Sequence, residues 1–308
     1  MPLYNKVSVV ERAIVSVLRQ SHENWRLIVV NDGSTDGSAE HVARTFTDGR
    51  VRVIHQENSG PGAARNRGLR DATAPLVAFL DADDEWMPTF LELAVQALNE
   101  NPACAGVAAG LLKGTERRVT LLEELPGVAA GHWRCPTSLP PADLKRAVDA
   151  FTPSSFVGRT AVLRELGGFY DRHHCTYAED SYLWTRLVMR YPVYVLDRAL
   201  VWIHTEDSDL GPGRMTPYPV PPLLSDIAAA KSGCPGSHAE LLERFLDWYT
   251  VWVANRLAYQ GEGKQALRLL RQLRPSIADE ETAALLRRAR LRAYAWPAVR
   301  IRYQLMRK

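Results

Sequence analysis

Leu80-Asp81-Ala82-Asp83-Asp84 sets three carboxylates directly behind an apolar run, Leu76-Val77-Ala78-Phe79-Leu80. The run reads as a buried strand, so the acids collect side by side at its carboxyl end. Like charges this close are costly unless a cation lies between them. Open α/β sheets bind their ligands in the crevice outside the carboxyl ends of their strands. The stretch therefore points to a metal at the ligand-binding edge of such a sheet. Taken alone it reads equally well as a solvated acidic turn capping the next helix, expected over Pro88 to Asn99. The neighbouring sequence decides between the two.

Upstream, Arg26-Leu27-Ile28-Val29-Val30 reads as a strand and ends in Asn31-Asp32-Gly33-Ser34-Thr35-Asp36-Gly37. A third strand, Val51-Arg52-Val53-Ile54, leads to Asn58-Ser59-Gly60-Pro61-Gly62-Ala63-Ala64-Arg65-Asn66-Arg67-Gly68. The order is helix, strand with acidic loop, helix, strand with Gly-rich basic loop, helix, strand with D-x-D. That alternation predicts a doubly wound, mostly parallel α/β sheet with right-handed crossovers. Its polar loops converge on one edge, offering carboxylates, glycines and arginines, the groups that a nucleoside diphosphate and a divalent cation need.

These motifs, in this order, resemble the inverting family 2 glycosyltransferases of the GT-A type. The resemblance rests on Pro2-Leu3-Tyr4-Asn5-Lys6, Ser16-Val17-Leu18-Arg19-Gln20, Asn31 to Asp36, Gly60 to Gly68 and Asp81 to Asp84. It continues through Gly167-Gly168-Phe169, Glu179-Asp180 with Trp184, and His204, covering residues 2 to about 210. In the family a hydrophobic first strand precedes Pro-Leu-Tyr-Asn, which here follows Met1 directly. The first element expected is therefore a helix, with Val10, Ile14, Val17 and Leu18 on one face. Loss of a central strand leaves its neighbours with unpaired backbone groups, an argument against a stable monomer.

Other motif readings fail on spacing. Asp32-Gly33-Ser34-Thr35-Asp36-Gly37 begins like an EF-hand loop, but the twelfth position, which needs a bidentate Glu, holds Ala43. Gly60-Pro61-Gly62 begins like a dinucleotide fingerprint, but its third glycine position holds Arg65. A chain of 308 residues with a formal charge of +3 has no overall basic character to suggest nucleic acid. Cys104, Cys135, Cys175 and Cys234 form no C-x-x-C pair and read as reduced thiols. With no membrane-length apolar run and no signal-peptide pattern, a cytoplasmic location is expected.

The resemblance implies roles for individual residues. Tyr4 and Asp32 border the nucleobase, with Asp32 accepting from a uracil-like imide nitrogen; otherwise Asp32 binds its own turn amides. Arg65 lies along the ribose and diphosphate, where its planar fork suits phosphate oxygens, while Arg67 reads as a surface residue. Gly60 and Gly62 allow close backbone approach, or serve only the turn. Asp81 contacts the ribose and Asp83 ligates Mn²⁺ or Mg²⁺, with Asp84 supporting either or capping the helix. His204 is either a third ligand or a structural histidine. Asp180, opening a helix with Leu183, Leu187 and Val188 on one face, is the general base, although Glu179 and Asp180 also suit a helix N-terminus as simple caps. The implied partners are a nucleotide-sugar donor, UDP-linked by expectation, and a glycan or lipid-linked acceptor. A metal-dependent nucleotidyltransferase and a non-catalytic nucleotide-sugar or glycan binder remain as alternatives.

The expected organisation is a catalytic domain over 1–210, with a donor half to about 110 and an acceptor half beyond it. A Pro/Gly-rich linker over 211–222 and a helical extension over 223–308 follow. Residues 110–150 have poor periodicity. Beyond the linker, helical patterns over Ser237 to Tyr259 and Gly263 to Leu273, joined by Gln260-Gly261-Glu262, read as an α-hairpin. Arg287 to Lys308 carries eight basic residues, no acidic ones and interleaved aromatics. It suits either peripheral contact with an anionic membrane or a helix packed on its own domain.

Overall fold

The structure, a computed structural model, describes residues 1–207, 219–273 and 280–295. Its described residues divide into two compact units: 1–136 with 146–207, and 137–145 with the described residues beyond 218.

The first unit opens with a strand, β1 (Pro2–Leu3), before α1 (Val10–Leu18), and not with the helix expected. Pro2 and Leu3 pair in parallel with Val30 and Asn31 of β2 (Leu27–Asp32). Met1 extends the ladder: its amino group donates to the Ile28 carbonyl (2.9 Å), and its own carbonyl accepts from Val30 N–H (2.8 Å). Three residues thus supply the edge pairing of β2, and β1 forms one edge of this three-stranded sheet. The far side of β2 pairs with β3 (Val51–Gln56), in parallel and in unbroken register from Leu27↔Val51 to Asp32↔Gln56. That register sets Asp32 and Gln56 side by side at the sheet edge. Between these strands, α2 (Ser38–Thr45) buries Ala39 and Val42. Val10, Ile14 and Val17 of α1 are buried, on the face that their spacing predicts.

The chain then crosses through α3 (Pro61–Asp71) to β4 (Leu76–Ala78), β5 (Glu85–Trp86) and α4 (Phe90–Glu100). Residues 81–84 form the turn between the two short strands. The second half contains β6 (Gly106–Lys113), β7 (Arg118–Thr120), β8 (Gly131–Trp133), α5 (Pro141–Ala150), β9 (Phe156–Arg159), α6 (Thr160–Glu165), α7 (Glu179–Arg190) and β10 (Val193–Ile203). Its mixed sheet runs β4-β9-β6-β10-β5, with β7 on β6 and β8 on β10. The long strand β10 organises it. Against β6 it runs parallel, with register irregularities between Val195 and Val201, and its end lies antiparallel to β5, Val201↔Trp86 and Trp202↔Glu85. The end of β10, which runs into His204-Thr205-Glu206-Asp207, therefore delivers His204 to the D-x-D turn. Residues 110–150, unreadable by periodicity, hold the end of β6, a short hairpin to β7, β8 and α5.

The second unit holds α8 (Pro222–Ser225), α9 (Ile227–Lys231), α10 (Gly236–Tyr259), α11 (Gly263–Leu270) and α12 (Glu280–Tyr294). The hairpin of α10 and α11 turns at Gly261, whose φ of 85° suits glycine. Leu246, Val253 and Leu257 of α10 are buried. The expected linker, 211–222, lies outside the described residues up to 218, and Pro222 opens α8. Of the basic stretch, 287–294 belongs to α12, where Leu291 and Tyr294 are exposed, and 296–308 lie outside the described residues. No helix among the described residues is long and apolar enough to cross a membrane.

Candidate active site

Asp32 ends β2 with 2% of its surface exposed. Its Oδ1 accepts from Gln56 Nε2 (2.8 Å) and Ser59 N–H (2.9 Å), and Oδ2 accepts from Gly60 N–H (2.9 Å). The carboxylate therefore builds the start of the Gly-rich loop and not its own turn, whose Ser34 amide donates to Asn31 Oδ1 (2.9 Å). One acceptor position remains on Oδ2. Tyr4 stands half exposed, next to a wrap of residues 5–7 around the 31–36 loop: Asn5 N–H to Ser34 Oγ (3.2 Å), Thr35 N–H to Asn5 Oδ1 (2.8 Å) and Val7 N–H to Asp36 Oδ2 (2.9 Å).

Arg65 links the two motif regions. Its Nη2 donates to Asp81 Oδ1 (2.6 Å) and its Nη1 to Glu179 Oε1 (2.8 Å). Burial works against this guanidinium, but Asp81 and then Glu179 more than offset it and hold its pKa above the ordinary value. The fork expected on a diphosphate is thus engaged by carboxylates at both tips. Its Nε is buried without a partner. Phe169 lies 5.2 Å beneath it, in an edge-to-face cluster with Phe79 and Trp184.

The glycines serve close approach, but to protein. A Cβ on Gly62 would collide with the Tyr170 carbonyl, and one on Gly60, at φ 91°, would meet the Cys175 carbonyl at 2.9 Å. Asn66 completes the seam by exchanging two hydrogen bonds with the Phe169 backbone (2.8 and 2.9 Å). Gly168 has no room for a Cβ against Asn66 Oδ1. The Gly-rich loop and the Gly167-Gly168-Phe169 turn are therefore one interlocked feature, which presents Glu179 to Arg65. Arg67 lies outside it, exposed and paired loosely with Asp71 (3.5 Å).

In the D-x-D turn, Ser154 Oγ donates to Asp84 Oδ2 (2.6 Å) and accepts from Asp81 N–H (3.1 Å). Burial, then Asp81 and Asp83, push the Asp84 carboxyl well above the carboxylate range. Asp83 is raised too, by burial and then Asp81, with Lys6 opposing. Lys6 Nζ lies 3.0 Å from Asp83 Oδ2 and donates to the Asp207 carbonyl (2.6 Å). Arg12 Nη2 donates to the Asp83 carbonyl (2.6 Å) and Asp207 Oδ2 (2.8 Å). His204 is buried between Glu85 Oε1 (3.0 Å at Nε2) and Glu206 Oε1 (3.1 Å at Nδ1), stacked on Trp202. One ligand atom from each of His204, Glu206 and Asp207 lies within 4.8 Å of the others. Crowded acids with raised pKa and a convergent imidazole fit a divalent cation. Arg12, Ser154 and Asp207 do not stand out in the sequence, because their partners lie some 70 to 200 residues away and only the end of β10 brings 204–207 near.

Asp180 opens α7, behind Ala178 at φ 57°. Its Oδ1 accepts from Ser181 N–H (2.7 Å), and Oδ2 has no hydrogen bond among the described residues. It occupies a crevice, partly accessible yet densely surrounded. Burial and then Glu179, with Arg65 opposing, push its pKa from the usual 3.8 up to about 7.

The fold is the GT-A α/β fold. The family described as "Glycosyl transferase family 2" matches residues 1–167, more than half of the chain, and the chain belongs to it. Among curated relatives, the putative teichuronic acid biosynthesis glycosyltransferase TuaG of Bacillus subtilis is 41% identical over 106 residues, 34% of this chain and 42% of that protein. The UDP-Glc:alpha-D-GlcNAc-diphosphoundecaprenol beta-1,3-glucosyltransferase WfgD of Escherichia coli is 36% identical over 102 residues, 33% of this chain and 40% of that protein. The matched regions span less than half of these relatives. Among solved structures, S. aureus TarS 1-349 in complex with UDP-GlcNAc superposes with a TM-score of 0.70 at 19% identity, over 99% of this chain and 90% of that one. The mannosyltransferase PcManGT of Pyrobaculum calidifontis, in complex with GDP-Man and Mn²⁺, gives 0.52 at 19% identity, over 97% and 85%. At such identities these two likenesses speak for the fold.

Proposed function

We propose that this chain is a metal-dependent, inverting glycosyltransferase that moves a sugar from a UDP-sugar to a hydroxyl of a glycan or lipid-linked glycan. The observation that carries the reading is Arg65, one buried guanidinium shared by the D-x-D acid Asp81 and by Glu179, the neighbour of Asp180. It ties the acid expected at the donor to the neighbour of a carboxyl pushed up to about 7. Perturbed acids gathered in a cleft mark functional sites. UDP-GlcNAc on TarS and the UDP-Glc and lipid-diphosphate acceptor in the name of WfgD favour the uridine donor and the lipid-linked acceptor.

In this reading Tyr4 packs on the uracil and the remaining Asp32 acceptor takes its imide N–H. Asp81, oriented by Arg65, contacts the ribose, and Asp83 with His204 holds the divalent ion. The imidazole in that set favours Mn²⁺ over Mg²⁺. The ion, when bound, neutralises charge on the departing UDP. Asp180 Oδ2 takes the proton from the acceptor hydroxyl as that oxygen bonds to the anomeric carbon and the carbon–phosphate oxygen bond breaks on the opposite face. One displacement inverts the anomeric configuration. A base near pH 7 suits the task, since catalysis is best when its pKa matches the working pH.

The test is UDP release from a panel of UDP-sugars with Mn²⁺, with and without lipid-diphosphate glycan acceptors, and product anomers read by NMR. Acceptor-dependent UDP release with inversion supports the reading. Inorganic diphosphate release would make the chain a nucleotidyltransferase, and donor binding without release would make it a binding protein.

A further inference from the structure

The turn at 81–84 and the segment at 204–207 are held together by cations that belong to the chain. Lys6 places its ammonium on Asp83 Oδ2 (3.0 Å) and on the Asp207 carbonyl (2.6 Å). Arg12 spans the Asp83 carbonyl, Asp207 Oδ2 and Glu85 Oε1 (2.6, 2.8 and 3.3 Å). The Lys6 and Asp83 side chains are 16% and 15% exposed, so their pairing is shielded from solvent screening. Asp207, which both cations touch, forms with His204 and Glu206 a group whose ligand atoms lie within 4.8 Å of one another. An ammonium on Asp83 Oδ2 and a divalent ion on the same oxygen repel each other strongly in so poorly screened a place. The two cations of the chain differ in what they can do about it. Arg12 is a planar fork whose geometry is fixed by its partners, while the Lys6 ammonium is a compact charge on a flexible four-carbon stem, which can exchange one anionic partner for another.

We propose that Lys6 is the resident counter-ion of the metal site: it neutralises Asp83 before the divalent ion arrives and must leave that oxygen for the ion to bind. This rests on the reading of Asp83 as a metal ligand. Lys6 sets an exchange, one cation for another, which keeps the acidic turn folded without metal and lowers the affinity for metal alone. A nucleoside diphosphate entering with the ion gives the displaced ammonium a new anionic partner. Donor and metal then favour each other's binding, as differential stabilisation of one state requires. Lys6 is a positioning residue here, acting on the metal through Asp83.

The experiment is Mn²⁺ affinity of the full chain without donor, read by electron paramagnetic resonance of free Mn²⁺, and then with UDP. Lys6→Met keeps the stem and removes the charge; Lys6→Gln is a second variant, and Asp83→Ala reports on the site itself. Lys6→Met and Lys6→Gln are expected to bind Mn²⁺ about tenfold more tightly than wild type without UDP, the scale of one relieved like-charge contact. Their gain in Mn²⁺ affinity on adding UDP should be smaller than that of wild type. Thermal midpoints of the two variants should lie below wild type in chelator and recover with Mn²⁺. Unchanged or weaker Mn²⁺ binding in both variants, with binding abolished by Asp83→Ala, overturns the exchange and leaves the metal reading intact. Mn²⁺ binding that is unaffected by Asp83→Ala, or absent in wild type and variants alike even with UDP, overturns both.

Discussion

The acids of the D-x-D turn and the acid at the start of α7 lie on either side of one arginine and are given different partners by the fold. At the turn each acid has a partner: Asp81 has Arg65, Asp83 has Lys6, and Asp84 has the Ser154 hydroxyl. At α7, Glu179 takes the remaining arm of Arg65, and Asp180 is left with its own Ser181 and one bare oxygen. The first arrangement sets a cation or a hydroxyl against each acid, although burial and neighbouring acids still push Asp83 and Asp84 up. The second leaves a carboxylate whose charge is poorly stabilised, hence its pKa near 7. In the proposed reading that difference separates holding a donor from accepting a proton, although all five groups are Asp or Glu side chains.

The strongest way to break this contrast is to remove the proton acceptor. Asp180→Asn is expected to cut transfer by about 10²–10⁴-fold while donor binding, followed by UDP-induced thermal shift, stays within about twofold. In wild type the transfer rate should climb with pH as Asp180 deprotonates, with a midpoint near 7, and flatten above it. A rate profile flat from pH 5 to 9, with chemistry limiting, would remove Asp180 from the proton transfer.

Removing the shared arginine strikes both sides. Arg65→Met leaves Asp81 and Glu179 facing each other without a counter-charge. Breaking one partner from a buried ionic set typically costs about 3–5 kcal/mol. Urea unfolding should show a loss of that order, together with a higher apparent pKa in any remaining activity, because Arg65 opposes the upward push on Asp180. A loss under about 1 kcal/mol would mean that the bridge carries little energy.

How much of this was legible in the sequence follows from the same contrast. Asp81, Asp83 and Asp180 stand at strand and helix ends marked by local pattern, and the βα alternation through residue 84 needed only apolar runs and glycines. The seam between Gly62 and Tyr170 and the approach of His204 depend on chain separations of a hundred residues or more, and no local period encodes them. The first strand was misjudged for a related reason: Met1 to Leu3 have too few residues for a pattern, yet a ready-made neighbour in β2 is enough to hold them. Close backbone approach at Gly60 and Gly62 is legible in the sequence, but not that the approaching backbone is that of residues 170–175.

That seam offers a smaller test. Gly62→Ala drives a methyl against the Tyr170 carbonyl, and such overpacking typically costs about 1–3 kcal/mol. The seam presents Glu179, so the variant should lose transfer more than UDP binding. Asp83→Ala should do the reverse: about a tenfold loss in Mn²⁺-dependent UDP affinity, with little change in the pH midpoint. Equal effects of the two variants on both readouts would collapse the division into holding and proton-accepting regions.

The smallest expected effect is a gain. A carboxyl raised in the folded state is bound to a proton there while the unfolded chain has already lost it. Between about pH 4 and 7 the native state therefore holds more protons, and its stability declines as pH rises through that window. Below the window both states are protonated and Asp180 costs nothing; above it the full penalty stands. Asp180→Asn removes the charge, so its midpoint should match wild type near pH 4 and exceed it at pH 8. A gain of about 1 kcal/mol corresponds to about 2 °C in a chain of this size. Stabilisation by an inactivating change is what a strained, functional carboxylate predicts. A variant less stable than wild type at pH 8 would show instead that the Asp180 charge contributes favourably to the helix N-terminus, and that the two regions differ less than their partners suggest.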